Sequence, residues 1–149
     1  MVVAQHAHLK IAELDTKTIF HAETKRMGES NLEQRFKAEI VWLILNGKVE
    51  EALNILAKQY GAIVPRLKVG LPKGRRKKAF GCYSPRTKTI SVLDSDRLMD
   101  PFVILHEFYH HIRTTVDAKH RGTERHADEF AKQFINAYKL MAKKTSGNN

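Results

Sequence analysis

From residue 32 onward the apolar positions fall into a helical rhythm. Leu32, Phe36, Ile40 and Leu43 recur three or four residues apart, so their side chains share one face of a helix. Ser30 and Glu33 stand ahead of that run with capping-box spacing, each able to satisfy backbone donors that a first turn leaves open. Asn46-Gly47 supplies the stop. A second helix is expected over Val49–Tyr60, with Ala52, Leu53, Leu56 and Ala57 on one face and Gly61 at its end. Upstream, residues 1–28 are weakly patterned, and a short helix is expected over 14–26.

Beyond Gly61 the period shortens. Segments 63–69, 79–83 and 89–93 are short and rich in β-branched or aromatic residues, which predicts three strands. Ser84-Pro85-Arg86-Thr87 has turn chemistry between the last two, and 72–78 reads as a loop. Helical signals return at Asp100-Pro101, an N-cap followed by proline at the first helical position, where no N–H is needed. That helix is expected to reach residue 115, and a final one to run from near Thr123, after Gly122, to residue 142. The order predicts one α+β domain over 1–149. It divides into a helical part (1–60), a short, mostly antiparallel three-stranded sheet with two helices (61–142), and a flexible tail (143–149).

Composition adds boundaries to this picture. Hydrophobic residues make up 42% and charged residues 28%, a balance that suits a packed core rather than a disordered or fibrous chain. No apolar run approaches the roughly 18–20 residues of a membrane span. The first residues lack the basic head and apolar stretch of a secretory signal. Cys82 is the single cysteine, so one chain builds neither an internal disulfide nor a multi-thiolate metal site. A cytoplasmic location without membrane association is the expectation. Charge points elsewhere: the net value is +10, and nine Lys or Arg fall between Arg66 and Lys88 with no Asp or Glu among them. The densest part is Arg75-Arg76-Lys77-Lys78. Such a patch attracts nucleic acid, an anionic membrane surface or acidic proteins through its long-range field, and it equally suits a solvated basic loop.

The helix that starts at Asp100-Pro101 carries His106-Glu107-Phe108-Tyr109-His110, an HExxH motif. At i and i+4 the two imidazoles lie one turn apart on the same face and can reach one ion, while Glu107 can touch a water at that ion without ligating it. Val103, Ile104, Leu105, Phe108 and Ile112 surround the motif, so the helix is expected to be buried. Two histidines and a carboxylate aimed into a core are costly without a metal or a hydrogen-bond network. A catalytic zinc takes three protein ligands and keeps one position open, and His111, His120, Glu124 and His126 are the candidates downstream. His111 is turned about 100° from His110, onto the wrong face. In the final helix Ala127, Phe130, Ala131, Phe134, Ile135, Tyr138 and Met141 form the apolar stripe. Glu124 falls about 60° from its middle and His126 about 100° to the other side. Glu124 is therefore the expected third ligand, with His126 the alternative. Cys82, a lone strand cysteine, reads as a small core residue in preference to a fourth, blocking ligand.

The motif followed by Glu124-Arg125-His126-Ala127-Asp128-Glu129-Phe130-Ala131 resembles the gluzincin pattern, HExxH then ExxA(D/N)xFA, and is most similar to the ImmA/IrrE-type zincin metallopeptidases. The resemblance covers residues 79 to 138. It implies a zincin-like domain with one zinc ion per chain, held by His106, His110 and Glu124, that hydrolyses peptide bonds with Glu107 as general base. It also implies that Asp128 steadies a zinc-binding histidine. Segment 89–93 would be the edge strand on which an extended protein or peptide substrate aligns. Tyr83, Tyr109, Arg113 and His126 are all chemically suited to share the oxyanion charge of such a reaction. His126-Ala127-Asp128-Glu129-Phe130 is similar to the H-G-x-E-(F/W) segment of SprT-like zincins, which act on DNA-bound proteins, although Ala127 stands where that pattern has glycine. The rival from another class is a binding protein: its metal is structural, and Arg75, Arg76, Lys77 and Lys78 hold nucleic acid or an acidic partner.

Overall fold

The computed structural model describes residues 29–74, 79–116 and 122–147. The helix expected over 14–26, the cluster Arg75, Arg76, Lys77 and Lys78, and His120 lie outside the described residues. Helix α1 (Glu29–Leu45) buries Leu32, Phe36, Ile40 and Leu43, as their spacing predicts. It begins one residue ahead of Ser30, so Ser30 lies inside the first turn instead of capping it. The Glu33 carboxylate takes the Lys37 ammonium one turn on, at 2.7 Å. Helix α2 (Val49–Tyr60) has the predicted bounds. Gly61 ends it with φ 64°, a left-handed conformation that lets the Ala62 N–H turn back to the Ala57 carbonyl at 2.9 Å.

The three strands are β1 (Arg66–Val69), β2 (Gly81–Ser84) and β3 (Thr89–Val92), in spatial order β1-β3-β2. The β1 strand begins only after Pro65, which has no N–H to give a ladder. The Ser84-to-Thr87 turn makes β2 and β3 an antiparallel hairpin, as expected, but β1 pairs with β3 in parallel. The sheet is thus mixed, not mostly antiparallel, and segment 89–93 forms its centre, not its edge. The reason is topological: the chain leaves β1, passes beyond the neighbouring place to lay down β2, and returns through the hairpin to fill the gap. The returning strand must run in β1's direction.

A 3-10 turn (Ser95–Met99) leads to helix α3 (Pro101–Val116). Asp100 Oδ1 accepts from the N–H groups of Phe102 at 3.0 Å and Val103 at 3.3 Å, and Pro101 occupies the first helical position, so this start was fully legible. Helix α4 (Glu124–Ser146) is capped by Thr123, whose hydroxyl accepts from the His126 N–H at 3.1 Å. It continues four residues past 142, so the segment expected to be a flexible tail is helical through Ser146. There the hydroxyls of Thr145 and Ser146 donate back to the carbonyls of Met141 and Ala142, each at 2.9 Å. Helix α3 is central. Ile104, Leu105 and Phe108 are fully buried, and the helix packs against β2 and β3 on one side and α4 on another. Phe130 and Phe134 of α4 carry the core on to Phe36 of α1 through tilted and edge-to-face ring contacts.

Candidate metal centre

Two elements meet at the motif. His106 and His110 project from the middle of α3, and the first turn of α4 brings one carboxylate across both. Glu124 Oε2 lies 2.9 Å from His106 Nε2 and Oε1 lies 3.0 Å from His110 Nε2. Each residue offers one ligand atom, and the three lie within 4.8 Å of one another. One turn further along α4, Asp128 Oδ1 accepts from the Nδ1–H of His106 at 2.9 Å. A carboxylate facing Nδ1 favours the tautomer with its proton there, which leaves the Nε2 lone pair for a cation between the ring and Glu124. Two acceptors facing each other at 2.9 Å repel unless a cation, either a proton or a metal ion, lies between them. Two imidazole nitrogens and a carboxylate oxygen are a donor set that suits zinc, so the residues present fit the ion.

Glu107, the next residue on α3, is 6% exposed and turns towards β2; its Oε1 is 4.0 Å from His106 Nε2. The β2 strand is the sheet edge on this side. The Leu93 N–H donates to the Phe80 carbonyl at 2.8 Å. Antiparallel ladders alternate, so Cys82 and Ser84 direct their backbone groups to β3, while Gly81 and Tyr83 direct theirs outward.

The other sequence candidates are distributed elsewhere. His126 lines an open groove with Tyr109, Arg113, Glu129, Phe130 and Gln133, a lining that includes none of the three clustered residues. Of the two alternatives for third ligand, the fold brings Glu124 to the histidines and not His126. Tyr109, Arg113 and His126, three of the oxyanion candidates, thus share that groove. The fourth, Tyr83, has its hydroxyl committed to His111 Nδ1 at 2.7 Å. His111 is fully buried on the sheet side, and its Nε2–H donates to the Ile63 carbonyl at 2.7 Å. Burial pushes its pKa below the ordinary value, against the pull of the Ile63 carbonyl, and burial pushes the Tyr83 phenol up. Cys82 is buried opposite Ser91 in the ladder and takes no part in the histidine–carboxylate cluster.

Two close approaches escaped the sequence reading. A Cβ on Gly81 would come 2.6 Å from Val103 Cγ1, and one on Gly122 would come 2.5 Å from Tyr109 Cε1. For Gly81 the available signal was a glycine inside a short β-rich segment, which commonly marks a backbone lying close to something else.

The described residues therefore define an α+β protein with four helices and a small open mixed sheet, and no helix among them is long and apolar enough to cross a membrane. No family model, curated protein or solved structure matches the chain.

Proposed function

We propose that the chain is a zinc-dependent peptidase of the zincin type, with His106, His110 and Glu124 holding the ion and Glu107 acting as general base. One observation carries the reading: a single carboxylate spans the Nε2 atoms of two histidines one turn apart, with a buried glutamate beside them. Bound there, zinc supplies Lewis acidity, polarising a carbonyl oxygen and lowering the pKa of water. Asp128 keeps His106 in the tautomer whose Nε2 is free to ligate. An extended peptide pairs with the outward amide and carbonyl groups of Gly81 and Tyr83, which brings a peptide bond to Glu107. Glu107 takes the proton of the attacking water and returns it to the departing amine. Affinity drawn from main-chain pairing makes the reaction tolerant of substrate sequence.

The test is metal content by mass spectrometry on untagged, zinc-supplied protein, together with cleavage of a quenched fluorescent peptide library. About one zinc per chain is expected, lost in Glu124→Ala and retained in His126→Ala. Glu107→Gln is expected to keep the metal and lose roughly a hundredfold or more in turnover. Wild-type protein that takes up no zinc would end this reading; loss of the metal in His126→Ala would redirect it to the SprT-like ligand set.

A further inference from the structure

We propose that Gly81 is a positioning residue for Glu107. The catalytic consequence rests on the peptidase reading above; the structural one does not. Two contacts of the β2 strand with α3 straddle Glu107. At one, the Tyr83 hydroxyl bonds His111 at 2.7 Å. At the other, Gly81 lies so close that a Cβ built on it would stand 2.6 Å from Val103 Cγ1, 3.3 Å from Glu107 Cγ and 3.4 Å from the Ser91 carbonyl oxygen. Carbon atoms in contact prefer about 3.5–4.0 Å, so no side chain fits at position 81 while strand and helix keep their separation. Val103 cannot readily turn aside, because a β-branched side chain in a helix has one strongly preferred rotamer. It is also buried.

The missing Cβ thus lets the β2 backbone close onto the methylenes of Glu107. Glu107 Cγ lies beside that backbone, and on the other side the Glu107 Oε1 is 4.0 Å from His106 Nε2. The outward amide of Gly81 belongs to the same strand edge, so one residue ties the general base to the line along which a substrate strand would pair. A glycine serving the fold alone would affect stability and leave Glu107 where it is. A positioning glycine moves it.

Glutamate-selective ¹³C NMR on the metal-free protein separates the two, with the Glu107 carboxyl signal assigned by its disappearance in Glu107→Gln. Gly81→Ala is expected to shift that signal. Gly81→Ala combined with Val103→Ala, which removes the methyl the new Cβ would strike, is expected to bring it part of the way back. The double variant also serves if Gly81→Ala alone fails to fold. Its remaining 3.3 Å approach to Glu107 Cγ should separate its signal from that of Val103→Ala. A Glu107 signal unmoved by the alanine at 81 in either background overturns the proposal. In zinc-loaded protein, Gly81→Ala is expected to lower kcat about tenfold or more, with KM within about twofold and zinc content unchanged. A change confined to KM, or loss of zinc, overturns the catalytic consequence. If the wild type cleaves no peptide, the peptidase reading fails, and the NMR comparison still decides whether Gly81 positions Glu107.

Discussion

His111 shows how much one residue can hold. Its two ring nitrogens join three parts of the chain: Nε2–H donates to Ile63 ahead of β1, and Nδ1 accepts from Tyr83 on β2, while the ring belongs to α3. Tyr83→Phe would leave a buried acceptor without its donor and is expected to cost about 1–3 kcal/mol, readable as a lower urea midpoint at unchanged slope. Acid should act at the same place. Because burial holds the pKa of His111 below 6.5, the unfolded chain binds more protons than the folded one once pH drops below that value. The contribution of His111 is therefore complete above 6.5 and drains away as pH falls towards the lowered value. His111→Gln keeps a donor and an acceptor but cannot titrate. Metal-free wild type should lose Tm more steeply than this variant between neutral and mildly acidic pH, and parallel curves would refute the assignment.

The helix starts matter more than their length. Asp100 holds the first N–H groups of α3 and Thr123 those of α4, and the two helices so begun carry every residue of the proposed metal centre. Asp100→Ala is expected to lower stability by about 0.5–2 kcal/mol in chemical denaturation. With the cap three positions from Val103 and six from His106, most of zinc binding should survive it. A loss of zinc as severe as that in Glu124→Ala would mean that α3 is less rigid than its burial implies. Sheet order is also an element-level property. The turn between β2 and β3 was readable from proline and its neighbours, and so was the hairpin. Which strand lies at the edge was not, because that depends on which side of β1 the hairpin settles.

For the molecule as a whole, an ion that binds only the folded chain must stabilise it. Zinc at about a hundred times its Kd contributes about 2.7 kcal/mol, so chelator-treated protein should gain Tm on zinc addition. Glu124→Ala should abolish the gain and His126→Ala should not; no gain in wild type would argue against a zinc site. The net charge of +10 poses a separate question. If the basic cluster holds nucleic acid, wild-type retention on DNA should fall steeply with salt, with a log–log slope of about −0.9 per phosphate contacted. Replacing Arg75, Arg76, Lys77 and Lys78 with Glu should remove it. Unchanged retention would sink nucleic-acid binding by the cluster, whereas loss of retention would fit a patch that brings the proposed peptidase to nucleic-acid-bound proteins.

Local rules determined what lies within a few residues: the faces of α1 and α2, the caps of α3 and α4, the β2–β3 turn, and the pairing of His106 with His110. Each follows from helical or hairpin geometry over short separations, where chain connectivity leaves little freedom. The apolar stripe of α4 narrowed the third position to Glu124 ahead of His126, because 100° per residue is also a local rule. Only tertiary packing decided that Glu124 spans both histidines, that Asp128 bonds one of them, that β3 is central, and that Gly81 leaves no room for a Cβ between β2 and Glu107. Those contacts join residues 14 to 26 positions apart, and they are set by how α4 crosses α3 and how closely β2 lies on it. That spacing is chosen by the collective packing of the core rather than by any short segment.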